Sequence, residues 1–555
     1  MTLTLRNPPP SPSSHCDEAG GLAVPASQRQ RVGGLSGPPS PREGVGGGPQ
    51  RTRTAPRRRW LCIAYAFPPI HRSGTFRTLG FVKHLHTLGW DTTVLTVEPH
   101  GEPFDDALLE ELPDTTRIIR VPWRNVIERI KTATRPGAMP ERVPHPSPQR
   151  RVGDGLQGGM PEPQGGTPER VPHPSPQRRV GDGQARACAP TRSPLRELVS
   201  QILLTPDSRT GWIAPAVRAG IRAVDECRPD VIYSTSPYAS AHLIALAVSR
   251  WSRLPWIADF RDPWCDNPFG EGRLPPVDRW NRWLERRVLL AASRVVCATP
   301  TMTARLVQRY PALAKKCTTI LNGFDRQRCQ TVAPIRTAPS DRFVFTHCGQ
   351  FYGPRSPLPW FNALRRAIDD APGLAEKVQF TLIGPDGFKG RSLTAWARDA
   401  GVADHVCVLG PKGHRDGLAH MAGSDALILP TADGAGAALQ VPGKLFEYLT
   451  LKKPILAACH AANPTVRILN QARAAAIVCD PNDEHALATG IKQLAQRRTP
   501  EPPAAWSGVD QFDRTHRASE LADVFGRALD KRQNTKTSKR QNVKTRLTRH
   551  EKPIM

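Results

Sequence analysis

The sequence predicts an α/β protein that consists of two Rossmann-like domains facing each other across a cleft. Short, continuous apolar runs such as WLCIAYA at Trp60–Ala66 are typical of strands that are buried on both faces. These runs alternate with segments of helical length, which is the pattern of parallel sheets covered by helices. The alternation pauses at the turn Asn322–Asp325 and then begins again, so we expect two such units. Open sheets of this kind bind ligands at the carboxyl ends of their strands, which places the expected site in the cleft.

The elements follow one another in a regular order along the chain. In the first unit the predicted strands are WLCIAYA, DTTVLTV, TTRIIRV, DVIYSTS, LPWIADF, RVVCATP and KCTTIL, and most are separated by amphipathic segments such as TFRTLGFVKHLHTLG and NRWLERRVLLAAS. In the second unit the predicted strands are RFVFTHCG, VQFTLIG, HVCVLG, DALILPT, PILAAC and AAAIVCD, again separated by helical segments. Each unit therefore repeats the strand–helix step of a parallel sheet.

Three segments lack the apolar residues that a folded core requires. Residues 1–59 are rich in Pro, Gly, Ser and Arg, which predicts disorder, and they do not resemble a secretory signal. An organelle transit peptide, a non-functional extension and an early start codon remain alternatives for this leader. Residues 134–192 contain a duplication, PERVPHPSPQRRVGDG at Pro140–Gly155 and Pro168–Gly183, and are predicted to be a disordered insertion in a surface loop. Residues 531–555 are predicted to be a basic, disordered tail.

The charge and cysteine content restrict the class of protein. The net charge of +27 would suit nucleic acid or an anionic membrane, or reflect only solubility and base composition. The basic segments lack interleaved aromatic residues and any known nucleic-acid signature, so we expect no specific nucleic-acid partner. No apolar run reaches the ~18 residues that a spanning helix needs. The twelve cysteines are scattered without a CxxC pair, which predicts a cytoplasmic protein without metal or disulfides, with peripheral contact at the inner face of the membrane as an alternative.

Two loops that precede helices carry candidate donor-binding residues. In FPPIHRSGTFR, Gly74 and Arg77 lie where a helix N-terminus can receive an anion. An ordinary turn that only needs the small Gly74 is the alternative. In GQFYGPRSPLPWF, Arg355 is placed to bind a diphosphate as a bidentate donor, unless it is simply a solvated surface arginine.

The stretch QVPGKLFEYLTLKKPILA carries the most informative cluster. Gly443 and Lys444 begin a helix whose N–H groups can receive phosphate oxygens. Glu447, about one turn later, offers a carboxylate suited to the vicinal diol of a ribose. The alternative is that Glu447 merely pairs with Lys444, or with Lys452 or Lys453.

A third cluster follows the predicted strand LPWIADF. Asp259, Arg261 and Asp262 come at its carboxyl end, and charged residues at such a position are costly unless they are paired or functional. They could orient an acceptor hydroxyl or stabilise an oxocarbenium-like transition state as catalytic residues. An ion-paired anchor for the loop is an equally weighted alternative.

In this order and spacing, the motifs resemble the retaining, GT-B-fold glycosyltransferases of family 4 (glycosyl transferases group 1), and most closely the bacterial members linked to surface-polysaccharide assembly. The resemblance covers Trp60 to about Leu529 apart from the insertion, and includes PDSRTGW, DVIYSTSPYASAHL, NGFD and LIGPDG. It implies an acceptor domain at 60–322, a nucleotide-sugar domain at 323–500 and helices at 501–530 that cross back. It also implies sugar transfer from a nucleotide-sugar donor to a glycan or lipid-linked acceptor, with retention of configuration and without a cofactor or obligatory metal.

The chain departs from this family at two places. In the family's Glu-x7-Glu pair the second residue binds the donor ribose and matches Glu447, but Leu439 replaces the first. The donor sugar would then be held by other groups, such as Asp433 or the backbone of 434–436. The histidine that usually follows the central strand is also absent, so the catalytic role of DFRD is an expectation only. A nucleotide-sugar 2-epimerase of the same fold, a basic nucleic-acid-binding protein and a catalytically degenerate paralogue are the alternatives.

Overall fold

The structure, a computed structural model, describes residues 57–101, 103–123, 194–267, 272–431, 436–496 and 506–550. The segment expected to be disordered at 1–59, except its last three residues, and the whole expected insertion at 134–192 lie outside these ranges. So do Asp433, Gly434 and Ala435. Within the described ranges, no helix is long and apolar enough to cross a membrane.

The N-terminal domain is built on a seven-stranded sheet with the order β3-β2-β1-β4-β5-β6-β7, in which every neighbouring pair is parallel. Its central strands consist of buried residues because helices cover both faces. The strands are β1 (Arg58–Ala64), β2 (Trp90–Val97), β3 (Arg117–Val121), β4 (Val231–Thr235), β5 (Trp256–Phe260), β6 (Arg294–Cys297) and β7 (Cys317–Thr319).

The helices of this domain pack on the two faces of the sheet or follow its last strand. One of them, α2, was not expected from the sequence; it precedes the loop that contains the cis peptide bond between Thr205 and Pro206. The helices are α1 (Ser73–Thr87), α2 (Pro194–Leu203), α3 (Ile213–Cys227), α4 (Ser240–Ser252), α5 (Pro275–Ala291), α6 (Pro300–Arg309) and α7 (Arg326–Gln330).

The C-terminal domain repeats the design with a six-stranded parallel sheet in the order β10-β9-β8-β11-β12-β13. Its strands are β8 (Phe343–Cys348), β9 (Val378–Ile383), β10 (Val406–Gly410), β11 (Ala426–Pro430), β12 (Ile455–Ala458) and β13 (Ala476–Cys479). Its helices are α8 (Leu358–Asp370), α9 (Leu393–Asp399), α10 (His414–Ala422), α11 (Lys444–Leu451), α12 (Pro464–Ala472) and α13 (Glu484–Gln496). The predicted fold class of two facing Rossmann-like domains is therefore confirmed.

Two segments cross between the domains side by side. The N–H of Phe324 donates to the carbonyl of Phe512 at 3.1 Å, and the N–H of Arg514 donates to the carbonyl of Phe324 at 2.9 Å. At Gly323 a Cβ atom would lie only 2.4 Å from the carbonyl oxygen of Phe512, so a side chain there would force the two crossings apart. These hydrogen bonds hold the two crossing segments together where the domains join.

The last helix, α14 (Arg514–His550), returns to the N-terminal domain and completes its core. The ring of Phe525 packs against Trp60 at 5.5 Å and Trp90 at 5.0 Å between ring centroids. The sequence predicted a disordered tail from residue 531, whereas the structure continues the helix to His550. The segment contains no Gly or Pro before residue 553, and its Lys, Arg and Gln residues favour a helix even without an apolar face.

Candidate active site

A cleft of about 940 Å³ lies between the two domains, at the carboxyl ends of both sheets. Its walls include all of the residues predicted for the site except Asp259. The cleft also collects basic side chains from both domains, so that an anionic ligand would be favoured. These basic side chains are Arg72, Arg77, Arg261, Arg273, Arg355, Lys444, Arg514 and Arg517.

Glu447 lies in the first turn of α11 and its carboxylate is held by a histidine, not by a lysine. Its Oε1 is 2.8 Å from Nε2 of His414, and the Glu447 side chain is 18% exposed. Burial alone would raise the pKa of Glu447, but the nearby His414, Arg514 and Arg328 outweigh it and lower the pKa. The site therefore presents an ionised carboxylate, with one oxygen oriented by His414, at the edge of the cleft.

His414 is a site residue that the sequence reasoning missed. It is the first residue of α10 and follows the carboxyl end of β10, where functional side chains of parallel sheets collect. Its ring packs against Phe76 of the N-terminal domain, with 4.5 Å between ring centroids. His414 thus links Glu447 to the opposite wall of the cleft. Its position after a strand, in PKGHRDG, was the available signal.

Lys444 lies at the start of α11, and its ammonium group occupies space that a side chain at residue 349 would otherwise fill. At Gly349, where φ is +142°, a Cβ would lie 2.2 Å from Nζ of Lys444. The Nζ atom is 3.4 Å from Nε2 of His347, a buried histidine whose pKa is lowered by burial and by Lys444. Burial lowers the pKa of Lys444 itself to about 7. An anion bound beside Lys444 would restore its charge.

Arg355 lies in the loop after β8 and lines the same side of the cleft. Its Nη1 donates to the hydroxyl of Tyr352 at 3.1 Å, and its guanidinium lies over the Tyr352 ring at 5.3 Å. Burial lowers the pKa of Arg355, although Tyr352 and Asp262 partly oppose this. A guanidinium keeps its charge even so, and Arg355 and Lys444 together give the C-terminal wall two cations for a diphosphate.

Gly74, Arg261 and Asp262 meet on the N-terminal wall. The helix α1 begins at Ser73, slightly earlier than predicted, so Gly74 lies within its first turn and not before it. A Cβ atom at Gly74 would lie 3.1 Å from Nη1 of Arg261. The guanidinium of Arg261 donates to Oγ of Ser73 at 2.8 Å and pairs with Asp262 at 3.2 Å. The Arg261 and Asp262 side chains are 14% and 18% exposed, so both reach the cleft.

Asp259 and Arg77 form a buried pair of which only Arg77 reaches the wall of the cleft, and this corrects the roles expected from the sequence. The carboxylate of Asp259 is fully buried and accepts two bonds from Arg77, at 2.9 and 2.8 Å. It also accepts bonds from the hydroxyls of Tyr233 and Thr235, at 2.6 and 2.7 Å. Burial would raise the pKa of Asp259, but Arg77 and these hydrogen bonds lower it. Asp259 is therefore the ion-paired anchor of the alternative interpretation and does not face a substrate.

The guanidinium of Arg77 is likewise fully engaged by protein atoms. Besides Asp259 it donates to the carbonyls of Ile320 and Leu321 and to Oδ1 of Asn322, at 3.0 to 3.1 Å. A guanidinium has five N–H donors, and these contacts use all of them. Arg77 thus ties α1 and β5 to the crossing segment instead of binding a diphosphate, as the sequence had suggested.

Leu439, which replaces a family glutamate, anchors the loop before α11 to the N-terminal domain. Its carbonyl accepts a bond from Oγ1 of Thr299 at 2.9 Å, and the carbonyl of Ala438 accepts one from Oγ1 of Thr301 at 2.7 Å. Leu439 lines a small, mostly apolar cavity with Phe260, Trp264, Met302 and Leu306 of the N-terminal domain, and the charged residues Asp266, Glu285 and Arg305 also border it. A leucine side chain suits this cavity. It has no polar atoms, so it cannot form the hydrogen bonds that a glutamate at this position would form with a donor sugar.

Comparison with known families agrees with this geometry. Residues 177–328 match the model of Glycosyltransferase Family 4, and residues 343–497 match the model of Glycosyl transferases group 1. Together the two models match more than half of the chain. The chain therefore carries two glycosyltransferase family domains, one in each half, and is a glycosyltransferase. No curated protein sequence is similar enough to count as a match.

Solved structures share the fold at low sequence identity. The crystal structure of Anabaena Alr3699/HepE in complex with UDP matches with a TM-score of 0.50 and 14% identity, over 84% of this chain and 99% of that one. The N-terminal domain of Candida albicans trehalose-6-phosphate phosphatase matches with a TM-score of 0.52 and 11% identity, over 86% and 98%. At these identities the likeness establishes the two-domain GT-B fold of this glycosyltransferase.

Proposed function

We propose that this glycosyltransferase moves a sugar from a nucleotide-sugar donor to a glycan or lipid-linked acceptor, with retention of configuration and without an obligatory metal. The observation that carries the proposal is the ionised Glu447, oriented by His414 one helical turn from Lys444 at the mouth of the cleft. A carboxylate beside a cationic helix start matches the two parts of a nucleotide that are shared by all such donors, its ribose and its diphosphate.

The C-terminal wall is proposed to hold the nucleotide. Glu447 accepts hydrogen bonds from the ribose diol, while Lys444 and Arg355 neutralise the diphosphate as it becomes the leaving group. Because these two cations can take the place of a divalent ion, the proposal needs no metal. The described residues contain no group of three or more His, Cys, Asp and Glu side chains arranged for one.

The N-terminal wall is proposed to hold the acceptor and the transferred sugar. Asp262 and Arg261 reach the cleft, whereas Asp259 does not, so they are the candidates to orient an acceptor hydroxyl and to stabilise charge at the sugar. Since Leu439 lies in a small cavity of the N-terminal domain and has no polar side-chain atoms, we propose that the backbone near Gly436 and the Arg261–Asp262 pair contact the donor sugar in place of the family's first glutamate.

A nucleotide-sugar 2-epimerase is kept as a second candidate because of one observation. Such an enzyme needs a histidine and carboxylates in the cleft, and His414 beside Glu447 supplies the histidine and one carboxylate. The two functions differ in their need for an acceptor. An epimerase would convert a UDP-N-acetylhexosamine alone, while a transferase would leave its configuration unchanged.

The proposal is tested by thermal shift with UDP-, GDP-, ADP- and dTDP-sugars, in the presence and absence of EDTA. UDP-sugars are the first choice because the HepE crystal contained UDP. A ligand at about 100 times its Kd raises the free energy of unfolding by about 2.7 kcal/mol. We expect one nucleotide class to raise the Tm of the wild type, and to raise that of Lys444→Ala less. Absence of a shift with all four classes would contradict the proposal.

A further inference from the structure

Two neighbouring helices on the N-terminal domain expose apolar side chains to solvent. On α2 these are Leu195, Val199 and Ile202, which are 68%, 47% and 42% exposed. Their spacing of four and three residues places them on one face of the helix. On α5 the exposed apolar residues include Trp280 and Trp283, which are 41% and 48% exposed.

The outer face of α5 combines these tryptophans with arginines and has no exposed carboxylate. Its residues are Arg279, Trp280, Trp283, Arg286, Arg287 and Leu290, all exposed. The two acidic residues of the helix are used elsewhere, since Asp278 pairs with Arg282 at 2.7 Å and Glu285 is buried. The guanidinium of Arg287 also lies 4.8 Å from the centre of the Trp283 ring.

Hydrogen bonds hold the two helices together beside the cleft. The Gln201 side chain of α2 accepts from the N–H of Leu274 at 2.8 Å and donates to the carbonyl of Gly272 at 3.3 Å, just before α5 begins. Arg273, between those two residues, lines the cleft, as do Pro206, Asp207 and Ser208 after the end of α2. The segments that follow α2 and precede α5 therefore line the cleft, which places the two helices beside the site.

We propose that the outer faces of α2 and α5 dock on an anionic phospholipid membrane. Tryptophan and aliphatic side chains enter the interface between headgroups and acyl chains, and the arginines bind lipid phosphates. A second copy of the chain is disfavoured as the occupant because this face would meet its own positive charge. Nucleic acid is disfavoured because the three aliphatic residues of α2 offer it neither charge nor stacking.

This docking surface extends the proposed function. It rests on that function only for the reason that the protein would bind a membrane. With α5 on the bilayer, the edge of the cleft that carries Arg273 lies close to the lipid headgroups. That position suits an acceptor whose lipid tail stays in the membrane while its sugar enters the cleft. Binding to vesicles can be measured without turnover, so the failure of either proposal leaves the other testable.

Vesicle co-sedimentation of the full-length protein tests the proposal. We expect binding to phosphatidylcholine vesicles that contain phosphatidylglycerol, weak binding to pure phosphatidylcholine, and release at high salt. Replacing Arg286 and Arg287 with Gln, or Trp280 and Trp283 with Gln, should each lower the partition coefficient by at least about ten-fold. The matched control, Arg366→Gln with Arg398→Gln on exposed positions of the C-terminal domain, should bind like the wild type. All variants should keep the wild-type Tm.

Three results would overturn the proposal. The first is wild-type vesicle binding by both α5 variants, with loss of binding when Lys536, Lys539 and Arg540 are changed to Gln, which would assign the membrane contact to the basic C-terminal segment. The second is a dimer in sedimentation velocity that the tryptophan variant converts to monomer. The third is binding to duplex DNA at physiological salt that the arginine variant abolishes.

Discussion

The two walls of the cleft carry similar charged residues and use them differently. On the N-terminal side, Arg77 and Asp259 form a fully buried pair whose donors and acceptors are all taken by protein atoms. On the C-terminal side, Lys444 and Glu447 are partly exposed, and their partners are histidines that leave them facing the cleft. The first pair maintains the structure, and the second is available to a ligand.

The difference shows that a charged residue at the end of a strand can serve either purpose. A buried ion pair is stable only when all of its hydrogen-bonding groups have protein partners. No donor or acceptor then remains for a substrate. A ligand site needs the reverse, namely charges that the protein orients but does not neutralise. Counting the hydrogen bonds of each charged group therefore separates the two, and the following variants test that separation.

The largest effect is expected for Asp259→Ala. The substitution leaves the Arg77 guanidinium buried without its counter-ion, which should lower the free energy of unfolding by about 3–5 kcal/mol. Urea denaturation of the purified protein measures this, with Asp91→Ala as a control because Asp91 is a partly exposed carboxylate of the same domain, paired with Arg57. If Asp259→Ala were as stable as the wild type and lost only turnover, the assignment of Asp259 to structure would be wrong.

A smaller effect, on ligand binding alone, is expected for Glu447→Ala. Loss of the carboxylate that we propose accepts from the ribose should weaken nucleotide binding by roughly 1.5–3 kcal/mol while the fold survives. Isothermal titration calorimetry with the nucleotide found by thermal shift measures the affinity. His414→Ala is the companion variant and should weaken binding less, because it removes the orientation of Glu447 and keeps the carboxylate. Unchanged affinity in Glu447→Ala would place the ribose elsewhere.

The pH dependence of binding should reveal Lys444. Its pKa of about 7 in the empty cleft should rise when a diphosphate binds, because the anion favours the ammonium form. Binding above pH 7 should therefore take up protons, at most one per site from this lysine, and the affinity should fall as the pH rises. Calorimetry in buffers of different ionisation enthalpy detects the uptake. Lys444→Met should lack it, and the same uptake in that variant would assign the proton to another group.

The sequence was sufficient to predict the fold because each strand is a local apolar run and each helix lies beside it. It also placed Lys444 and Glu447 at the start of a helix, where the structure has them lining the cleft, since a helix start is a local feature of the sequence. It could not assign Asp259, because the partner Arg77 lies 182 residues away and only the folded sheet brings the two together. His414 was missed for the same reason, as it lies 33 residues from Glu447.

The charged residues of DFRD also differ in burial, because only Asp259 lies within a strand. Asp259 belongs to β5 itself and is buried, whereas Arg261 and Asp262 follow the strand and turn toward the cleft. A sequence pattern shows three charged residues in a row of four. Where the strand ends decides which of them meet solvent, and strand ends are uncertain by a residue or two in any sequence-based prediction.

The smallest effect on stability is expected for Asp262→Ala. Its ion pair with Arg261 is partly exposed, and such pairs contribute only about 0–1 kcal/mol, so the urea midpoint should hardly move. Turnover of the donor sugar should fall because Asp262 reaches the cleft, while the affinity for the free nucleotide stays close to the wild type. A loss of stability as large as that of Asp259→Ala would show that both aspartates are structural. In that case the N-terminal wall would have no carboxylate in DFRD that is available to the transferred sugar.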